Sequence, residues 1–217
     1  MKVALIGASG FVGSAVLTEV LNRGHEVTAI VRHPEKITIQ SNRLSVARGD
    51  VMDTATLAEL IKGSDIVISA YNAGWANPDL YNEFLKGSQS IQEATKRSGV
   101  KRLIVVGGAG SLFVAPGVQA VDTPAFPAEW KPGASAARDY LGLLQKEERL
   151  AWTFVSPALE MHHGLPRRRT GVYRTGLDNP VFDNNNKSTI SVDDLAVAIT
   201  DEAENPKHVR QRFTVAY

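Results

Sequence analysis

The stretch Gly7-Ala8-Ser9-Gly10-Phe11-Val12-Gly13, directly behind the run Lys2-Val3-Ala4-Leu5-Ile6, limits what this chain can fold into. A strand that feeds a glycine-spaced turn and then a helical pattern aims the helix N-terminus at whatever sits on the turn. Unpaired backbone N–H groups and the positive end of the helix dipole favour a phosphate there. Gly7 permits the turn, Gly10 lets the backbone approach a pyrophosphate, and Gly13 lets the helix pack close to the strand. Ser9, Phe11 and Val12 complete the loop and belong to the same candidate binding site.

The spacing is G-x-x-G-x-x-G rather than G-x-G-x-x-G, and the chain holds 18 glycines, so context has to decide. Phe11 to Arg23 places Val12, Val16, Val20 and Leu21 on one stripe of a helix. Gly24 stands where a helix-ending glycine belongs. His25-Glu26-Val27-Thr28-Ala29-Ile30-Val31 reads as a β-branched second strand. Strand, helix and strand then form one βαβ unit, the setting of a dinucleotide-binding turn.

The tip of the second strand bears on cofactor choice. An Asp or Glu about twenty residues past the glycines would accept from a ribose 2′-OH and mark NAD. Here the strand ends Val31-Arg32-His33 with no acid. A guanidinium grips a 2′-phosphate in a fork that a carboxylate would repel. Arg32 therefore points to NADP, with NAD as the alternative.

The 217 residues suffice for one doubly wound sheet with a sizeable core. The net charge of +1 supplies no long-range field for nucleic acid or an anionic membrane. Without cysteine there is no disulfide, thiolate catalysis or thiolate metal site, which fits a reducing cytoplasm. The apolar run after Lys2 is too short for a signal-peptide core. Leu103 to Val121 carries no charge, but its glycines and Pro116 make it a poor membrane helix.

Further along, 43–48 reads as a third strand, Thr54–Lys62 as a helix, 65–70 as a fourth strand, 78–98 as a long helix and 101–106 as a fifth strand. This alternation predicts an α/β parallel sheet with right-handed crossovers. From Phe113 to Gly133 a loop with four prolines is expected to be a lid. A helix over 135–149 and a strand over 152–156 follow, and then an irregular stretch to about Lys187. Ser191 caps a last helix with Asp194 at its third position, and 212–216 forms a final strand.

Taken together, MKVALIGASGFVG, VRHPEK, RGDVMD, VVGGAGSL, WTFVSPA and SVDDLAVAI resemble the atypical short-chain dehydrogenase/reductase superfamily. Within it, the chain is similar to small single-domain NAD(P)-binding proteins labelled NADH-flavin reductases, NmrA-like or epimerase-like. The resemblance implies one NAD(P)-binding Rossmann domain over 1–217, a doubly wound parallel sheet. A small substrate-side region is expected from 113–133 and 157–190. It also implies that Asp50 and Val51 flank the adenine and that Ala70, Tyr71, Asn72 and Ala73 line the nicotinamide ribose. Ser156, Pro157 and Ala158 would touch the nicotinamide, and Ser111 would be the active-site serine.

One departure bears on the chemistry. Short-chain dehydrogenases place a Tyr-x-x-x-Lys pair on the helix after the serine, the tyrosine donating a proton that the lysine makes available. Here Tyr140 is followed four residues on by Leu144, and Lys146 lies two positions further. Tyr140 is carried as a catalytic candidate with a packed helix-face tyrosine as the alternative. A broken pair suits hydride transfer to a flavin-like or quinone-like acceptor, which can take its proton from water. It also suits an NmrA-like dinucleotide sensor without turnover. A nucleotide-sugar epimerase or dehydratase is a third reading.

His162 and His163 lack metal-ligand spacing, so no metal is expected. Arg167-Arg168-Arg169 could draw an acidic substrate or form a solvated turn. The expected partner is a small-molecule substrate, with neither nucleic acid nor membrane, and the chain is expected to be a monomer or homodimer.

Overall fold

The computed structural model describes all 217 residues. The chain runs β1 (Lys2–Ile6), α1 (Phe11–Asn22), β2 (Glu26–Val31), β3 (Leu44–Arg48), α2 (Thr54–Ile61), β4 (Ile66–Ser69), α3 (Leu80–Ser98) and β5 (Arg102–Val106). It continues through β6 (Phe113–Ala115), β7 (Val118–Gln119), α4 (Lys131–Leu144), β8 (Ala151–Ser156), β9 (Arg174–Gly176), α5 (Val192–Glu204) and β10 (Gln211–Ala216). Eight strands form one sheet in the order β3-β2-β1-β4-β5-β8-β10-β9, while β6 and β7 make a separate hairpin. All pairings in the large sheet are parallel except β10 with β9. This is a Rossmann-like sheet, and its strand order reverses between β1 and β4. In open parallel sheets, ligands bind outside the carboxyl ends of the strands at such a switch point.

Alternation along β1 shows how two layers of helix cover the sheet. Val3 and Leu5 join a core with Val16, Leu17, Val20 and Ile199 from α1 and α5. Ala4 and Ile6 point to the other face, into a core with Leu57, Phe84, Ile91 and Tyr140 from α2, α3 and α4. Both faces are dry, which is why β4 and β5 are almost wholly apolar. The first helix ends as its glycine requires. Gly24 has φ +82, its N–H bonds Leu21 O at 2.9 Å, and His25 N–H bonds Val20 O at 3.2 Å. That pair of bonds is the Schellman arrangement.

On α1, Val16 and Val20 are buried, and Val12 and Leu21 pack half-buried against the same core, with Leu17 buried beside them. Three expectations need correction. The segment 113–133 is an ordered hairpin followed by 3-10 turns, and α4 starts at Lys131 and ends at Leu144. Pro132 does not delay the helix, because a proline in the first turn sacrifices no intrahelical bond. Within the stretch expected to be irregular, Arg174–Gly176 adds an antiparallel edge strand. The hairpin is tied to that edge: Phe113 N–H donates to Asp178 O and the Asn179 amide to Phe113 O, both at 2.8 Å.

Candidate functional site

The glycine turn is a cradle with no room for side chains. Gly7 has φ +79, and a Cβ there would lie 2.6 Å from Ala70 O. A Cβ on Gly13 would fall 2.0 Å from Gly7 O, so α1 approaches the turn as closely as backbone allows. Gly10 caps α1 with no side-chain hydrogen bond. The first N–H groups of the helix therefore face outward with about half a positive charge behind them. This combination fits a pyrophosphate without any charged side chain in the turn.

Beside the turn lies a cleft of about 700 Å³. Gly7, Ser9 and Gly10 line it from the turn, Arg32 from the end of β2, Asp50 and Val51 from the end of β3, and Ala70, Tyr71 and Asn72 from the end of β4. Four strand ends thus bring nine expected binding residues onto one wall. The cleft also holds groups that the sequence reading did not single out, among them His33, Lys36, Asp79, Glu83 and Lys86. Lys36 sits on a 3-10 turn, Pro34–Lys36, and lines the same cleft as Arg32. Its signal was present in VRHPEK, where only Arg32 drew attention. Arg32 and Lys36 form no ion pair, whereas His33 is held by Glu35 at 3.0 Å.

The polar groups of the cleft are fixed by local bonds. Asp50 accepts from Met52 N–H at 2.9 Å, and Asn72 from Gly74 N–H at 2.7 Å, so both shape their own turns. The Tyr71 ring lies against Gly87 of α3, where a Cβ would come within 2.5 Å of it. Its hydroxyl donates to Glu83 O at 3.2 Å. Burial, with the Glu83 charge nearby, pushes the Tyr71 phenol up to about 12, so it stays protonated at neutral pH.

The remaining expected residues lie elsewhere. Ser111 and Ser156 are fully buried behind the ends of β5 and β8, their hydroxyl oxygens 3.2 Å apart. Ser111 donates to Gly108 O at 3.1 Å. Pro157 and Ala158 are buried directly after β8 and do not line the cleft. Phe11 and Val12 are half-buried at the start of α1. The Phe11 ring packs at a tilt against His163, centroids 3.9 Å apart, which brings the loop after β8 against the start of α1.

The catalytic expectation for Tyr140 is corrected. Its side chain is 1% exposed, inside the core between the sheet, α3 and α4. Its hydroxyl donates to Gln92 Oε1 at 3.2 Å. Burial drives its phenol far above the ordinary tyrosine range. A group so placed neither reaches a ligand nor exchanges a proton with one.

The arginine triplet also resolves. Arg167 pairs with Asp193, Arg168 lies over the Tyr217 ring at 4.2 Å, and Arg169 binds Glu19 at 2.7 Å. The three side chains fasten the 159–190 segment to α1, α5 and the last residue. Asp194 completes the fastening, accepting from Thr170 N–H and Gly171 N–H, both at 2.8 Å, and from the Tyr217 hydroxyl at 2.6 Å. No cluster of three metal-binding side chains is present. No helix is long and apolar enough to cross a membrane.

Comparison with known proteins agrees with this geometry. The sequence model of a family described as NAD(P)H-binding matches residues 7–206. The uncharacterized protein YwnB of Bacillus subtilis is 42% identical over 217 residues, covering 99% of this chain and 98% of its own. A crystal structure of a candidate epimerase from Bacteroides thetaiotaomicron superposes with a TM-score of 0.91 at 47% identity, over 100% of this chain and 96% of that one. A candidate NADH-flavin reductase from Streptococcus pneumoniae gives 0.85 at 35% identity, over 100% and 99%.

Proposed function

The chain belongs to the NAD(P)H-binding family, and from that premise we propose that it is an NADPH-dependent reductase of the atypical short-chain type, passing a hydride to a flavin-like or quinone-like acceptor. The observation that carries the cofactor choice is the pair Arg32 and Lys36 on the cleft wall, both without a carboxylate partner. Two free cations at the tip of β2, where an NAD site would place an acid, suit a 2′-phosphate. Likeness to the streptococcal candidate NADH-flavin reductase supports the acceptor class.

When bound, the dinucleotide supplies a hydride from its nicotinamide ring. The protein's part is to hold and orient it. The bare N-terminus of α1 takes the pyrophosphate, and the fixed phi of Gly7 keeps Ala70 against the turn. Arg32 and Lys36 take the adenosine end, and Ala70 to Asn72 guide the chain of the cofactor towards the ends of β5 and β8. With Tyr140 sealed in the core, no side-chain acid is assigned to the acceptor. An acceptor that draws its one proton from water balances the two-electron transfer.

The test is oxidation of NADPH, followed by absorbance, against FMN, riboflavin and quinones. Turnover with any of these, and preference for NADPH over NADH, is the expected result. The missing acid also favours a second reading, a dinucleotide sensor. That reading gains if NADPH and NADP bind with different affinity while the whole panel gives no turnover.

A further inference from the structure

Of the three tryptophans in the chain, one is structural and two are bare. Trp152 on β8 is 3% exposed and donates its indole N–H to Glu147 O at 3.3 Å. Trp75 is 60% exposed in the loop after β4, and Trp130 is 44% exposed in the turn that leads into α4. An indole this open presents a planar face that another ring can stack on.

Their places in the fold coincide. Trp75 lies three residues past Asn72, which lines the cofactor cleft. A Cβ on Gly133 would come within 2.8 Å of Trp75 Cζ3 and 3.2 Å of its Cη2. The edge of the Trp75 ring therefore rests on the first turn of α4, against a residue with no side chain. Trp130 and Gly133 are one helical turn apart, so both indoles belong to the N-terminal end of α4. That end borders the turn that follows β5, where a Cβ on Gly110 would lie 2.9 Å from Ala134 Cβ. It is at the carboxyl edge, next to the cofactor, that a substrate must lie.

We infer that Trp75 and Trp130 form the acceptor-binding face and select a planar, conjugated ring system. The inference rests on the reductase reading and names the acceptor class within it. An indole face binds such rings by offset stacking and needs no directional hydrogen bond. This agrees with a site where no side-chain acid has been assigned. Gly133 contributes by letting the edge of Trp75 close on α4, and in doing so it sets the angle of the platform.

The experiment uses the whole chain and riboflavin as probe, with indole fluorescence and steady-state kinetics read side by side. Riboflavin is expected to quench the emission of the two exposed indoles and leave that of Trp152. W75A and W130A should each lose part of the quenching and raise KM for riboflavin roughly three- to tenfold, with KM for NADPH unchanged. W75F and W130F should recover most of the affinity, and G133A, which keeps both indoles but displaces one, should behave like W75A. Turnover of riboflavin with an unaltered KM in both alanine variants would overturn the inference and leave the reductase reading intact. Quenching that is lost in the alanine variants, in a protein that turns over no acceptor, would uphold the binding face and remove the reductase reading. A change of oligomeric state in the alanine variants, without a change in riboflavin affinity, would make the face an interface between copies and overturn the inference as well.

Discussion

Arg212 holds Ser111 by both of its oxygens: one guanidinium nitrogen donates to the carbonyl at 2.6 Å and to the hydroxyl at 3.2 Å. The arginine is 7% exposed, and its other side pairs with Asp178. One residue of β10 thus joins the end of β5 to the loop beyond β9. Because Arg212 offers only donors, the Ser111 proton is left to Gly108 O or to the Ser156 hydroxyl. The serine that the family resemblance marks as active is, in this fold, a clamp on the backbone at the end of β5.

Ser111→Ala should therefore cost stability rather than chemistry, about 0.5–1.5 kcal/mol for the lost hydrogen bond. Urea unfolding and kcat measured on the same preparation separate the two. A fall in kcat of about a hundredfold at unchanged stability would return Ser111 to the reacting groups. Arg212→Met strips the Ser111 carbonyl of its charged donor and should cost more, about 1.5–3 kcal/mol. Amide exchange should then quicken in the β6–β7 hairpin.

Arg32→Ala should weaken NADPH by on the order of 1.5–3 kcal/mol and leave NADH nearly untouched. The guanidinium has no carboxylate partner inside the protein, so its removal leaves no buried charge behind and the loss reads directly on the ligand. Calorimetric titration of both dinucleotides checks this. Equal losses would move Arg32 from the 2′-phosphate to a contact that both cofactors share. Lys36→Ala should act in the same direction and less strongly, since an ammonium lacks the fork of a guanidinium.

The phosphate turn could be read from the chain because its causes are local. Gly10 and Gly13 are required by backbone approach within seven residues, Gly7 by its own positive φ, and a helix N-terminus carries its own dipole. The cleft wall followed from strand ends, which apolar runs announce. What escaped depends on partners distant in the chain. Arg174–Gly176 has no apolar period and is a strand only because β10 offers it an edge. Tyr140 looked available until α3 and α4 packed around it. The 113–133 segment looked structureless because its prolines punctuate it. Its order comes from Asp178 and Asn179, more than fifty residues later.

Tyr140→Phe should leave turnover and dinucleotide affinity unchanged. The hydroxyl lost is a buried donor to Gln92, so stability should fall by about 1 kcal/mol. Since burial drives the phenol far above its ordinary range, Tyr140 should contribute nothing to an activity–pH profile while the protein remains folded. Coincident profiles for wild type and Tyr140→Phe are the expected observation. A limb that disappears in the variant would show that the tyrosine reaches solvent and takes part in catalysis.

Glu202 is one of the carboxylates that make the fold sensitive to acid. It is 4% exposed and accepts from Arg102 at 2.8 Å, from the His208 ring at 2.8 Å, and from His208 and Lys207 N–H at 3.0 and 3.1 Å. Burial alone would push its carboxyl up. The hydrogen bonds from His208 and Lys207 outweigh burial and hold it below the ordinary value of 4.5. A carboxylate with a depressed pKa contributes stability that is present above its unfolded value and lost as pH falls through its folded one. The melting temperature should therefore fall as pH drops below about 4.5. Glu202→Gln leaves the Arg102 guanidinium without its countercharge and should cost on the order of 3 kcal/mol at pH 7. Below that threshold the unfolded chain takes up the proton first and the folded carboxylate only at lower pH, so the gap between the two proteins should narrow. Thermal unfolding of both from pH 7 to pH 3 measures the gap directly. A gap that stays constant over that range would show that geometry at Glu202, and not its charge, ties α5 to β5 and to the loop before β10.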